Sequence, residues 1–172
     1  RYSSEFIFQA SDHDGSEKTF LGEIGPFDGE DIIDIVVKQP ATARFISRHF
    51  YNYFVADEPQ VPAWNIVQPK DPEAIETLVD AYTESGGNMR SILRVLFNSD
   101  FFKDARFQRV KSPAELVVGT VRLAGTYRFP DPGLASLAGA TAVMGQTLMT
   151  PPTVEGWHTG KEWIDAGTLN ER

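Results

Sequence analysis

The amino-acid sequence predicts a mainly α protein, an irregular bundle of about seven short helices with a small N-terminal β-hairpin. Three observations carry that expectation. Strand-like alternation is confined to positions 1–24. Helix-start chemistry then recurs along the rest of the chain, at Asp28, Gln39-Pro40, Asp71-Pro72, Asn88 and Ser112-Pro113. Between these starts, apolar residues return at spacings of three and four, the period of a helix face.

Tyr2 to Gln9 alternates, with Tyr2, Phe6 and Phe8 on one side, and reads as a strand. Ser11-Asp-His-Asp-Gly-Ser16 is a turn cluster and Lys18-Thr-Phe-Leu21 a second short strand, so a hairpin is expected over 1–24. Two strands alone are marginal, so this pair leans on the helices that follow. Asp28 is a good N-cap, with Glu30 and Asp31 in the first turn where the helix dipole favours anions. Pro40 opens the next helix at its favoured first position, and that helix runs to about Val55. Its apolar stripe is Phe45, Ile46, His49, Phe50, Tyr53 and Phe54.

Asp57 to Lys70, with three prolines around Trp64, reads as an extended loop. Asp71-Pro72 starts a helix that Gly86-Gly87 ends, and Asn88 caps the next, with Met89, Ile92, Leu93, Leu96 and Phe97 facing inward. Ser99 to Lys103 adds a short turn. Ser112-Pro-Ala-Glu115 is a capping box that launches a helix to about Gly125. A helix rich in Ala and Gly covers about 134–146, and the last begins near Gly160.

The chain has 172 residues, enough for one domain that buries roughly two-thirds of its unfolded surface. The whole of it, 1–172, is read as a single helical domain, with helices over 28–172. At 41% hydrophobic and 12% aromatic, the composition is that of a folded protein. A net charge of −8 argues against non-specific nucleic-acid binding, which needs clustered cations to displace counterions. Cysteine is absent, which excludes disulfides, thiolate nucleophiles and cysteine-ligated metals from these residues. No run approaches the roughly 18 apolar residues that a membrane span requires. The pattern opens mid-strand at Arg1 and ends mid-helix at Arg172, so the chain is read as a portion of a longer protein.

Several segments together resemble the bacterial family called domain of unknown function 1800. They are His13-Asp14 with Lys18-Thr-Phe-Leu-Gly22, Gly25-Pro-Phe-Asp-Gly29, Pro40-Ala-Thr-Ala-Arg-Phe45 and Arg109-Val-Lys-Ser-Pro-Ala-Glu-Leu-Val118. Gly145-Gln146, Pro151 to Trp157, Trp163-Ile-Asp165 and Thr168-Leu169 complete the set. The resemblance implies a bacterial, exported protein, located in the periplasm or at the cell surface and encoded beside sulfatase-like exported proteins. The resemblance also implies that the chain is the C-terminal part of such a protein. Its partners would be another exported protein and the missing N-terminal half of its own chain. Relatives continue past Leu169-Asn-Glu-Arg172, so the final helix is expected to be cut short. The family has no agreed reaction, so no catalytic residue is carried over from it.

Read from the residues themselves, three places could carry chemistry. Asp12-His13-Asp14 sets an imidazole between two carboxylates, a donor set that suits a divalent metal. Aspartates also build turns through their own backbone, and the turn reading ranks first. Arg109 and Lys111, with Arg106, precede the Ser112 cap, where cations and a helix N-terminus suit an anion, unless Glu115 neutralises them. Glu155, Trp157 and His158, on the segment that runs to Trp163, form the best candidate surface. Indoles on a loop stack on sugars or grip peptides, or else they plug the core, the reading favoured for Trp163. Arg44 and Arg48, one turn apart beside His49, are read as structural.

No cofactor is evident, although a divalent metal would fit the first of these places. No Walker loop, nucleophile elbow, His-Glu-x-x-His or dinucleotide fingerprint occurs. The leading functional expectation is therefore a helical binding and assembly domain with protein partners. Two others stand beside it: a metal-dependent or hydrolytic enzyme sharing its site with the missing half, and a carbohydrate-binding module using Trp157.

Overall fold

The computed structural model describes residues 6–125 and 133–164. Its architecture is mainly helical, with a two-stranded antiparallel hairpin near the N-terminus.

The hairpin pairs β1 (Lys18–Phe20) with β2 (Glu23–Gly25), Lys18 opposite Gly25 and Phe20 opposite Glu23. This corrects the expected partner strand over 2–9. Residues 6–9 are not in a strand, and residues 1–5 lie outside the described part. The reversal is at Leu21-Gly22, both with positive φ (49° and 89°), as a two-residue hairpin loop requires. Leucine is an unusual residue for that conformation, so Leu21 reads as the end of the strand expected over 18–21 and the turn that it opens is hidden.

α1 (Gly29–Val37) starts at the Asp28 cap, which is reciprocated by the Asp31 carboxylate in a capping box. Gln39-Pro40 breaks the chain, and α2 (Pro40–Phe54) follows. The 57–70 loop is not fully extended, because Val61–Asn65 closes into a 3₁₀ turn that carries Trp64. α3 (Pro72–Glu84) is capped by Asp71 and ends at Gly86 and Gly87, both with positive φ. α4 (Met89–Asn98) and α5 (Asp100–Lys103) use the Asn88 and Ser99 caps. α6 (Pro113–Ala124) has the full Ser112/Glu115 capping box and a left-handed Gly125 at its end. α7 (Leu134–Val143) is shorter than the reading to Gln146, and the expected last helix is a single 3₁₀ turn, Gly160–Trp163. Residues 165–172, where that helix was to continue, lie outside the described part.

The core is the junction of α2, α3 and α4. Leu78, Ile92 and Leu96 are fully buried, with Ala43, Tyr51, Val55, Ile75 and Tyr82 around them. Burial of each large aliphatic side chain contributes about 1.5–3 kcal/mol. The Tyr82 hydroxyl donates to the Val37 carbonyl at 2.9 Å and so fastens α1 to this core.

The buried face of α2 is rotated from the expected stripe. Ala43, Ser47, Arg48 and Tyr51 are buried, while Phe45 and Tyr53 are exposed. Two small residues, Ala43 and Ser47, let α3 approach α2 closely, whereas the aromatics fan out along its flank. Met89 and Phe97 of α4, also expected inside, are exposed as well. Phe97 instead packs edge-on against Phe54 and Phe102, each with ring centroids 5.1 Å away.

Candidate functional site

At the C-terminal end of α2 the chain brings four distant segments together around a cleft of about 360 Å³. The end of α2 and Asp57 form its floor, 109–115 one wall, Gln146 a corner, and 157–163 the opposite wall.

Asp57 organises this meeting. It is 9% exposed, and its Oδ2 accepts the Val110 N–H at 2.7 Å while its own N–H donates to the Gln108 carbonyl at 3.3 Å. The loop before α6 is thereby tied to the residue that follows α2. On the far wall Gly160 passes so close that a Cβ there would sit 3.0 Å from the Asp57 Cβ. Gln146 does the same for α7, because its Oε1 accepts the Ala114 N–H at 2.8 Å and so links the end of α7 to the start of α6.

Arg109 and Glu115 face each other in a bidentate pair at 3.0 and 3.2 Å, and the guanidinium also lies over the Tyr53 ring at 5.2 Å. Glu115 accepts the Ser112 N–H at 2.9 Å as part of the capping box. The first turn of α6 then has no donor to spare for an anion. Pro113 has none, Ala114 is taken by Gln146, and the Glu115 N–H donates to the Ser112 hydroxyl. Lys111 is exposed and is not among the cleft-lining residues.

Burial pushes the Glu115 carboxyl up, but its bonds from Arg109 and Ser112 and the Arg109 charge outweigh that, leaving it below its ordinary 4.5. Its contribution to stability is therefore complete above pH 4.5 and is lost as the pH falls through the lowered value. Glu115→Gln is expected to be destabilised at neutral pH, and that deficit should shrink on acidification. Urea unfolding at neutral and acid pH reads this directly, and a deficit that stays constant with pH would refute the account.

The opposite wall is the segment that the sequence singled out. Thr153 and Gly156 bridge in a tight turn, with Gly156 at φ 99° and Glu155 exposed at the tip, away from the cleft lining. Trp157 and His158 follow and both line the cleft. The His158 Nδ1 lies 2.6 Å from a Glu162 carboxylate oxygen, and the Gln60 amide reaches both, at 3.2 and 3.0 Å. The wall is thus fastened to the 57–70 loop. Trp163 is 5% exposed and buries itself beneath the cleft, with its ring edge-on to His158.

Asp12, His13 and Asp14 lie in the turn before β1, away from this cleft. Asp14 accepts both the N–H and the hydroxyl of Ser16 at 2.9 Å, bonds that hold its carboxyl below the ordinary range. The His13 ring packs against Phe8. Among the described residues no group of three or more His, Asp or Glu side chains converges as a metal-binding cluster.

The two arginines of α2 part company. Arg44 pairs at the surface with Glu76, whereas Arg48 turns inward to Glu58. His49 is wedged between Phe45 and Trp64, and burial lowers its pKa, favouring the neutral imidazole.

The cleft therefore unites Arg109 with Trp157 and His158, which the sequence placed at two separate candidate sites, and adds Asp57, Gln146, Tyr53 and Glu162, which it did not propose. Asp57 carries no local signal beyond following a helix end, and Gln146 only its place after Gly145 in the resembling segments. No helix among the described residues is long and apolar enough to cross a membrane.

A family model described as protein of unknown function (DUF1800) matches residues 1–172, and the chain belongs to that family. No curated protein and no solved structure matches the chain.

Proposed function

We propose that this member of the DUF1800 family is a recognition domain of an exported bacterial protein, and that the cleft between Arg109 and Trp157 is where it binds. The observation that carries this reading is convergence. Three segments that lie far apart in sequence are tied by side chain to backbone bonds through Asp57 and Gln146. A fourth, 157–163, is fastened by the Gln60 amide to His158 and Glu162, and the polar and aromatic groups of all four meet over one concavity. A volume of about 360 Å³ is within the usual range for ligand sites. Export rests on the family resemblance.

A ligand that binds only the folded state raises the unfolding midpoint by mass action, adding about 2.7 kcal/mol of stability at a hundred times its Kd. Any ligand found in this way for the full chain is expected to lose at least about 1.4 kcal/mol, tenfold in affinity, in Trp157→Ala. A ligand whose midpoint shift survives that change binds elsewhere and sinks the proposal.

One observation favours a second reading, an enzyme. Glu162 at the His158 Nδ1 fixes the imidazole as a carboxylate fixes a general base, with Nε2 left to act. A turnover lost in His158→Gln, with an unchanged unfolding midpoint, would transfer the cleft to that class.

A further inference from the structure

We infer that the ligand of this cleft is a neutral carbohydrate, a hydroxyl-bearing ring and not an anion or an apolar group. This rests on the recognition reading above and deepens it.

The charges on the walls are cancelled locally. Arg109 spends two N–H groups on Glu115, and its face lies over Tyr53. The His158 Nδ1 is held at 2.6 Å from Glu162. Adding Asp57, the lining carries no excess of positive charge, and the N–H groups that could cradle an anion at the start of α6 are already bonded. Phosphates, sulfates and carboxylates are therefore poorly served.

What the lining offers is a mixture of acceptor and donor. The Asp57 carboxylate uses Oδ2 for Val110, and an ionised carboxylate has about four lone-pair sites in all. Gln146 uses its oxygen for Ala114 and brings two amide N–H donors to the same concavity. A hydroxyl both gives and accepts a hydrogen bond, so neighbouring hydroxyls on one ring match an acid and an amide set together. Trp157, half-buried on the wall, supplies an indole against which the C–H face of a sugar ring can lie. Purely apolar ligands would leave Asp57 and the Gln146 amide desolvated and unmatched, a cost that hydroxyls avoid.

The three tryptophans provide the test. Trp64 is an internal control, because its indole N–H donates to the Pro59 carbonyl at 2.7 Å and its ring belongs to a separate groove beside Arg48. The full chain, labelled at its indole nitrogens, is titrated with neutral oligosaccharides, with sulfated and uronate-bearing counterparts, and with a random peptide pool. Neutral sugars are expected to shift the Trp157 indole signal, to leave Trp64 unmoved, and to lose at least tenfold in affinity in Trp157→Ala. Trp157→Phe, which keeps a stacking ring, is expected to retain most of the binding, so a general loss of fold is told apart from loss of the platform. A stronger response to the charged sugars overturns neutrality. Binding of peptides and not sugars, still dependent on Trp157, overturns the carbohydrate while the cleft stands. A Trp157 signal that none of the three moves overturns both.

Discussion

Arg48→Ala is expected to lower the unfolding free energy by about 3–5 kcal/mol, the usual cost of leaving one member of a buried ion pair alone. The side chains of Arg48 and Glu58 are 7% and 0% exposed. Arg48 donates through Nε and NH2 to one Glu58 oxygen at 2.9 and 2.6 Å, and through NH1 to the Val67 and Trp64 carbonyls at 3.0 and 3.3 Å. Its guanidinium lies 4.8 Å from the centre of the Trp64 ring. The other Glu58 oxygen accepts the Lys70 N–H at 2.9 Å. One arginine therefore pins both the loop that carries Trp64 and the acid that follows α2. Truncating it strands a buried carboxylate and removes the donor from two carbonyls.

For a chain of 172 residues that loss corresponds to a fall of about 10 °C in the unfolding midpoint. Arg44 is the matched control. It lies one turn earlier on the same helix and also pairs with a glutamate, but the two side chains are 61% and 48% exposed. Solvent screens such a pair, and Arg44→Ala should cost less than about 1 kcal/mol. The double change Arg48→Met with Glu58→Leu should cost less than either single truncation, because no charge is then left buried. Equal effects at positions 44 and 48 would refute this account of the loop.

That contrast also shows where the sequence stops being informative. Arg44 and Arg48 are the same residue type, four positions apart, and nothing local separates them. Burial is decided by the 57–70 loop folding back over one of them, a long-range event. The helix starts were readable for the opposite reason. Asp28, Asp71-Pro72, Asn88 and Ser112-Pro113 act within three residues of themselves, and each caps the helix predicted from it. The rotation of α2 was missed because aromatic residues at helical spacing outweighed Ala43 and Ser47, whose small size is what admits α3. The hairpin was misplaced because Leu21 occupies a positive-φ position that composition does not assign to it.

The candidate site follows the same rule. Trp157 and His158 were conspicuous by type, and Arg109 by the basic run that holds it. Asp57 and Gln146 act through bonds that span 53 and 32 residues, and no pattern in the chain foretells them.

Gly160→Ala is expected to open the cleft wall and to cost about 2–5 kcal/mol, the left-handed backbone penalty and overpacking combined. Gly160 has φ 61°, where a side chain is strained in any surroundings. Here the surroundings add to it, since an alanine Cβ would lie 3.0 Å from the Asp57 Cβ and 3.1 Å from its Cγ. Asp57 is poorly placed to yield, because it is buried and its Oδ2 holds the Val110 N–H. The methyl group can be accommodated only by moving the 157–163 wall away or by breaking the Asp57–Val110 bond, and either change separates Trp157 from Arg109. Gly86 isolates the two contributions, because its φ is 62° and nothing lies within 4 Å of its Cβ position. Gly86→Ala therefore suffers the backbone strain alone, about 1–2 kcal/mol. Chemical unfolding of the two variants side by side measures the difference, which belongs to the contact between Gly160 and Asp57. Equal destabilisation would mean that the wall yields without resistance, and the cleft would then not be a rigid site. A larger loss at Gly160, together with a more solvent-exposed Trp157 fluorescence in Gly160→Ala alone, would show that Asp57 is what holds the wall in place.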